Sequence, residues 1–151
     1  MALYLVQHGK NLPKEQDPGK GLSPEGKSEV ERIANVAKSY SVKVAVIKHS
    51  GKKRALETAK MFADILQPPN GVKETSGIGP LDDVTKLQLN TDDNLMLVGH
   101  LPFMEKLASY LTVGSTDKTV FKFQNGGIVC LDHDPETQSW YIKWTLMPNI
   151  G

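Results

Sequence analysis

The sequence has 151 residues, the size of one ordinary domain and enough to bury about two thirds of the surface that the unfolded chain exposes. With 39% hydrophobic and 23% charged residues, its composition excludes disordered, collagen-like and membrane-embedded classes. Eighteen basic and seventeen acidic residues leave a net charge of +1, which favours neither nucleic acid nor a membrane surface as a partner. No signal or membrane-spanning segment is visible, so we expect a single cytoplasmic domain over residues 1–151.

Three apolar, β-prone segments each lead through a loop into a pattern with helical spacing, and the first loop contains a long polar stretch over residues 10–20. Ser23 and Pro24 form an N-cap and first helical position, and the helix after the second strand stops before Pro68-Pro69. The predicted strands cover residues 2–6, 42–47 and 95–98, and the helices that follow them cover residues 24–40, 52–66 and about 102–111. This strand-then-helix alternation predicts a parallel sheet.

The remaining segments predict a weaker helix over residues 81–89 and β-rich runs over 119–123, 128–131 and 140–146. The only cysteine, Cys130, lies in the second of these runs among apolar neighbours, which predicts a buried thiol without a disulfide or a cysteine zinc site. The whole pattern predicts an α/β sandwich of three layers. A mostly parallel central sheet has an antiparallel edge, and helices cover both of its faces.

Polar side chains follow each of the three predicted parallel strands. The first strand delivers Gln7-His8-Gly9, the second delivers His49-Ser50 and then Lys52-Lys53-Arg54, and the third delivers Gly99-His100. Ligands of open α/β sheets bind outside the carboxyl ends of the strands, where helix N-termini favour anions. Two histidines and an arginine at one crevice therefore predict a site for a phosphoryl group.

His8 is the candidate nucleophile, because an imidazole with an unperturbed pKa of about 6.5 is easily kept neutral. Arg54 and His100 are the candidate clamps for the phosphoryl oxygens. Each residue also has a simpler interpretation: a histidine near a strand end is usually structural, and the basic run 48–54 taken alone is a solvated surface. We interpret His49 and His133 as structural.

These residues resemble the motifs of the histidine phosphatase superfamily. Val6-Gln7-His8-Gly9 resembles its Arg-His-Gly signature, residues 22–26 resemble its helix entry, Ser50 with residues 54–59 resembles its serine and Arg-Ala-x-x-Thr-Ala motif, and Gly99-His100 supplies its second histidine. The short chain and Gly99-His100-Leu101-Pro102 are most similar to the SixA-type phosphohistidine phosphatases.

The resemblance implies a phosphoglycerate-mutase-like fold without a metal or organic cofactor. It implies His8 as the nucleophile, with Arg54 and His100 as its catalytic partners. It also implies phosphate-binding positions at Gln7, Gly9, Lys20 and Ser50.

The sequence departs from the family at Gln7, where a neutral amide replaces the first arginine. Loss of one transition-state donor typically slows an enzyme about a hundredfold to a thousandfold. Four lysines are candidates to replace the positive charge of the missing arginine, namely Lys10, Lys20, Lys48 and Lys52.

The second departure from the family concerns the general acid. Asp82 and Asp83 lie in the expected interval, and Asp83 is the better positional match, although a charge at a helix N-terminus explains it equally well. An imidazole leaves more easily than an alkoxide, so phosphohistidine ranks first as the substrate. Its carrier would be a phosphorylated protein, for example a histidine phosphotransfer domain. The alternatives are a small-molecule phosphomonoesterase and an inactive phosphate-binding protein.

Overall fold

The computed structural model describes residues 2–89 and 93–150. Within this part of the chain the strands are β1 (Ala2–Gln7), β2 (Val46–His49), β3 (Val72–Glu74), β4 (Leu95–Gly99), β5 (Ile128–Asp134) and β6 (Ser139–Leu146), and the α-helices are α1 (Pro24–Ser39), α2 (Lys53–Leu66) and α3 (Phe103–Val113). The strands form one sheet in the order β3-β2-β4-β1-β5-β6. Strands β1 to β4 run parallel, whereas β5 pairs antiparallel with both β1 and β6. The predicted antiparallel edge is confirmed.

Helices cover both faces of this sheet. Successive residues of each strand point to opposite faces, so they contribute alternately to two apolar clusters. Tyr4 and Val6 of β1 pack toward the cluster that contains residues of α1 and α2, among them the fully buried Phe62. Leu3 and Leu5 pack toward the opposite cluster, which α3 completes. The three-layer α/β arrangement is therefore confirmed. It also means that His8, the next residue beyond Gln7, continues on the α1 and α2 side.

The start of α1 and the end of α2 agree with the sequence prediction, whereas α3 extends slightly beyond its predicted end. The Gly26 amide donates a 3.0 Å hydrogen bond to Ser23 Oγ at the start of α1, and Pro24 occupies the first turn. Helix α2 ends at Gln67, which adopts left-handed geometry (φ 50°) immediately before the two prolines. Helix α3 ends at Gly114 (φ 76°), whose amide donates to the carbonyl of Tyr110.

The helix predicted over residues 81–89 is wrong, since only a 3-10 turn forms at Val84–Lys86. Aspartate side chains occupy backbone donors here: Asp82 accepts from the Gly79 amide and Asp83 accepts from the Thr85 amide. Such local bonds compete with helical ones. Val84 is buried but Leu81 is 91% exposed, so the apolar spacing does not mark a packed helix face.

The strand predicted over residues 119–123 is also wrong. The Phe123 amide donates to Glu105 Oε2 on α3 instead of to a neighbouring strand, and Phe121 and Phe123 pack against the α3 side of the sheet. The two aromatic side chains explain why the sequence favoured a strand here. The segment nevertheless binds helix α3 and pairs with no strand of the described residues.

The second strand begins later than predicted, at Val46 instead of residue 42. The Val42 amide donates to the carbonyl of Ala37, which ties the segment to the end of α1. The short strand β3 has only one apolar residue, Val72, and gave no sequence signal. Cys130 is buried as predicted, and burial raises the pKa of its thiol to about 11.

The sequence predicts no membrane-spanning segment, and the helices of the structure bear on this prediction. In the described residues, none of them combines the length and the apolar character that a bilayer crossing requires.

Candidate active site

The candidate site lies where three neighbouring parallel strands end. His8 follows β1, Ser50 follows β2 and His100 follows β4, which lies between the other two strands. The His8 amide donates a 2.9 Å hydrogen bond to the Gly99 carbonyl, which extends the β1–β4 ladder into the site. The sheet therefore brings together residues that are up to 92 positions apart in the sequence.

His8 is 8% exposed, and hydrogen bonds fix the orientation of its ring. Nδ1 lies 2.8 Å from the Gly9 carbonyl, an acceptor, so Nδ1 carries the hydrogen. The Arg54 Nε–H group donates to Nε2 over 3.3 Å, which is consistent with a lone pair on that atom. The arrangement presents Nε2 as a nucleophile beside a guanidinium.

The loop that carries His8 is fixed by residues from two other parts of the chain. The Gly9 amide donates to Thr58 Oγ1 (2.9 Å), and the Thr58 hydroxyl donates to the Arg54 carbonyl (2.8 Å) on the same turn of α2. Asn125 Nδ2 donates to the His8 carbonyl (2.9 Å). These contacts couple the position of the nucleophile to that of Arg54.

Thr58 and Asn125 were not predicted as functional residues. Thr58 is fully buried and lies four positions after Arg54, so the helical spacing held a signal for it. Asn125 lies in a turn before β5. Its contact with the His8 carbonyl becomes visible only once β5 is paired with β1.

Gly9 has a packing reason for lacking a side chain. A Cβ atom at this position would lie 2.9 Å from Val30 Cγ2 and 3.2 Å from Leu22 Cδ2. Because its amide is engaged by Thr58, direct phosphate binding by Gly9 stays a prediction.

His100 is 1% exposed, and its ring faces the ring of His8. The two ring centroids are 5.1 Å apart at an interplanar angle of 55°. His100 Nε2 lies 2.6 Å from Ser50 Oγ. Its Nδ1 is buried and has no hydrogen-bond partner among the described residues. Ser50 thus contacts the second histidine, and its contact with phosphate stays a prediction.

Both histidines are held neutral by their surroundings. Burial lowers the pKa of His8, and the Arg54 charge lowers it further. Burial lowers the pKa of His100 to about 3, and His8, Arg54 and Lys52 add smaller electrostatic contributions in the same direction. Two neutral imidazoles beside one guanidinium suit nucleophilic attack on a phosphoryl group.

Gln7 is the last residue of β1, and its side chain points to the opposite face of the sheet from that of His8, as successive residues of a strand do. Its Oε1 is buried and accepts no hydrogen bond from any residue in the described ranges, while its backbone carbonyl accepts from the Gly126 amide over 2.8 Å. A buried acceptor without a partner costs about 1 to 3 kcal/mol. The Gln7 amide is therefore poorly matched to its surroundings.

The candidate replacement cations differ in their environments. Lys10 forms ion pairs with Glu25 (2.8 Å) and Glu29 (3.5 Å), which hold its ammonium group. Lys52 precedes α2, and its charge lowers the pKa of His100. Lys48 lies within β2 and is half-buried.

Lys20 lies in a loop that is attached to the first turns of α2. Asp17 accepts hydrogen bonds from the Gly21 amide (2.8 Å) and from Lys53 Nζ (2.9 Å), and Glu57 accepts from the Leu22 amide (2.7 Å). Lys20 itself adopts left-handed backbone geometry (φ 54°), which is unfavourable for a residue with a Cβ. Asp17 and Glu57 therefore hold this loop against the start of α2.

Asp83 does not lie in a setting typical of a general acid. Its Oδ1 accepts from the amide and hydroxyl of Thr85, and these bonds hold the pKa of this exposed carboxyl below its usual range. An ionised carboxylate has no proton to donate. In the described part of the chain, His, Cys, Asp and Glu side chains form no group of three or more that could hold a metal ion.

No protein-family model matches this sequence, and no curated protein matches it significantly. Solved structures do match it along its whole length. The protein histidine phosphatase SixA in complex with tungstate superposes with a TM-score of 0.83 and 23% identity, covering 98% of this chain and 97% of that one. The chain has the phosphoglycerate-mutase-like fold of the histidine phosphatases.

Other structures with the histidine phosphatase fold differ in their substrates. A protein from Agrobacterium tumefaciens, assigned as the phosphohistidine phosphatase SixA, matches with a TM-score of 0.78 and 24% identity over 97% of both chains. Phosphoserine phosphatase from Entamoeba histolytica, solved with 3-phosphoglyceric acid, matches with a TM-score of 0.67 and 16% identity over 96% of both chains. The fold therefore does not by itself select a substrate.

The buried, neutral His100 predicts a specific dependence of stability on pH. The folded pKa of about 3 lies below the unfolded value of 6.5, so the unfolded state binds more protons as the pH falls below 6.5. We expect His100→Gln to reduce the loss of unfolding free energy between pH 7 and pH 4.5 by about 2 kcal/mol. Urea denaturation of both proteins at the two pH values measures this difference. Equal losses in the two proteins would contradict a neutral His100.

Proposed function

We propose that this protein is a phosphohistidine phosphatase that forms a covalent phosphohistidine intermediate on His8. The observation that carries the proposal is the contact between the buried His8 Nε2 and Arg54 Nε–H, beside the ring of His100. It joins a neutral nucleophile to a fixed positive charge and a second imidazole. The structural likeness to SixA with tungstate, a tetrahedral oxyanion, supports a phosphoryl ligand at this site.

The proposed reaction has two steps. His8 Nε2 attacks the substrate phosphorus, and the bond between phosphorus and the substrate imidazole breaks. The electron pair leaves with that imidazole, whose other ring nitrogen carries a proton, so that it leaves uncharged. Water then attacks the phosphorus, the bond to Nε2 breaks, His8 regains its lone pair, and the protons of the water stay on the released phosphate or pass to solvent. Arg54 would bind the phosphoryl oxygens in both steps, and the hydrogen bond from Nδ1 to the Gly9 carbonyl would stabilise the positive charge on the His8 ring.

The proposed substrate is a phosphorylated protein, for example a histidine phosphotransfer domain. An imidazole leaving group needs little help from an acid, which fits the ionised Asp83 carboxylate. A small phosphomonoester with an alkoxide leaving group needs that help. The cytoplasmic location and the single domain over residues 1–151 remain predictions.

The covalent intermediate provides the first test of this proposal. Reaction with a phosphohistidine peptide is expected to give an acid-labile phosphoenzyme, whereas His8→Ala should give none and should lower turnover about ten thousandfold. Acid-quench labelling and release of inorganic phosphate measure the two effects.

Two matched variants serve as controls for the labelling experiment. His133→Ala changes a histidine near the C-terminal end of β5, and this variant should be labelled as wild type is. Asp83→Asn should keep phosphohistidine turnover within about twofold, because no acid is required. Equal labelling of wild type and His8→Ala would exclude the proposed nucleophile.

Gln7 favours a second candidate function, a protein that binds phosphorylated partners without turnover. The amide supplies no positive charge, and its buried oxygen has no partner among the described residues. The fold and the phosphate site would be the same in both candidates. Only the rate of the chemical step separates them.

Gln7→Arg distinguishes the phosphatase from the binding protein. If the chain is an enzyme, wild-type turnover exceeds that of His8→Ala, and the arginine raises it by up to about a hundredfold. Phosphate release and phosphate affinity are measured together, with Gln138→Arg, in the turn between β5 and β6, as a control for added charge. Wild-type turnover no higher than that of His8→Ala, restored by the arginine without a change in affinity, would favour the binding protein.

A further inference from the structure

Ser50 is joined to the buried second histidine by a short hydrogen bond. Ser50 Oγ and His100 Nε2 lie 2.6 Å apart, although the residues are 50 positions apart in the sequence. The parallel register of β2 and β4 explains their proximity. His49 pairs with Val98, so the residues that follow the two strands enter the same loop region. The contact is a consequence of the sheet and does not depend on a mobile surface side chain.

Two hydrogen arrangements are compatible with this contact. Either the Ser50 hydroxyl donates to Nε2, or a hydrogen on Nε2 is donated to Oγ. His100 is neutral near pH 7, so its single ring hydrogen is on Nδ1 in the first case and on Nε2 in the second. The two cases differ in what the other nitrogen offers, since Nδ1 is a donor in the first and an acceptor in the second.

A second contact favours donation from the serine. The Lys52 amide lies 3.4 Å from Ser50 Oγ and directs an N–H group at this oxygen. Oγ therefore already has one donor, and among the described residues His100 Nε2 is the acceptor within reach of the hydroxyl hydrogen.

We propose that Ser50 is a positioning residue that sets the tautomer of His100. Its hydroxyl donates to Nε2 and keeps the hydrogen on Nδ1, which has no other hydrogen-bond partner in the described residues. His100 then donates from Nδ1 to a phosphoryl oxygen while it stays uncharged. The proposal rests on the proposed phosphatase function and replaces the predicted direct contact between Ser50 and phosphate.

An uncharged donor at this position suits the chemistry of His8. The two rings are only 5.1 Å apart, so a cationic His100 would oppose the positive charge that develops on His8 as it takes up the phosphoryl group. Arg54 already supplies a permanent charge at His8 Nε2. A neutral His100 with its hydrogen on Nδ1 binds an oxygen without adding to that repulsion.

The test combines a spectroscopic reading with kinetics on the full-length protein. The 15N chemical shifts of the His100 ring nitrogens at pH 7 report which atom carries the hydrogen. Wild type should show a protonated Nδ1 and an unprotonated Nε2. Ser50→Ala should lose this preference and lower kcat about tenfold with a smaller change in KM, whereas Ser50→Thr, which keeps the hydroxyl, should restore both readings.

Ser139→Ala, at the start of β6 and away from the site, is the matched control and should leave both readings unchanged. A wild-type hydrogen on Nε2, or an unchanged tautomer in Ser50→Ala, would overturn the proposal. The shifts do not depend on turnover. If wild type fails to hydrolyse phosphohistidine, the proposed function fails while the tautomer result still decides the role of Ser50.

Discussion

The hydrogen bond from His8 Nδ1 to the Gly9 carbonyl is the interaction on which the site depends. It assigns the ring hydrogen to Nδ1 and leaves a lone pair on Nε2, directed toward the Arg54 guanidinium. Burial and the Arg54 charge lower the pKa of the ring against the Gly9 hydrogen bond, which raises it, and they keep the ring neutral. Without this fixed tautomer, the same three strand ends would hold a histidine of undetermined reactivity.

The surrounding fold keeps this arrangement rigid. Gly9 lies against Val30 and Leu22 too closely to carry a side chain, and its amide is bound by the buried Thr58. Thr58 also binds the carbonyl of Arg54, so displacement of the nucleophile would disturb its charged partner. Because the β1–β4 ladder extends to the His8 amide, the sheet fixes the backbone position of His8 at the end of β1.

The sequence was sufficient to predict the α/β layers and the three strand ends, because buried strands and capped helices leave strong local patterns. His8, Arg54 and His100 were grouped correctly for that reason. The sequence did not predict the contact of Ser50 with His100 or of Asn125 with the His8 carbonyl, which depend on strand register. It also overpredicted regular structure at residues 81–89 and 119–123, where side chains bind the backbone or a helix.

The proposed function requires one oxyanion to contact His8 Nε2, Arg54 and His100 together. A crystal structure of the protein with bound tungstate tests it most directly. We expect the tungsten atom to lie in line with His8 Nε2, with its oxygens bound by the Arg54 guanidinium and by His100 Nδ1. Tungstate bound elsewhere, or His8 turned so that Nδ1 faces the anion, would contradict it.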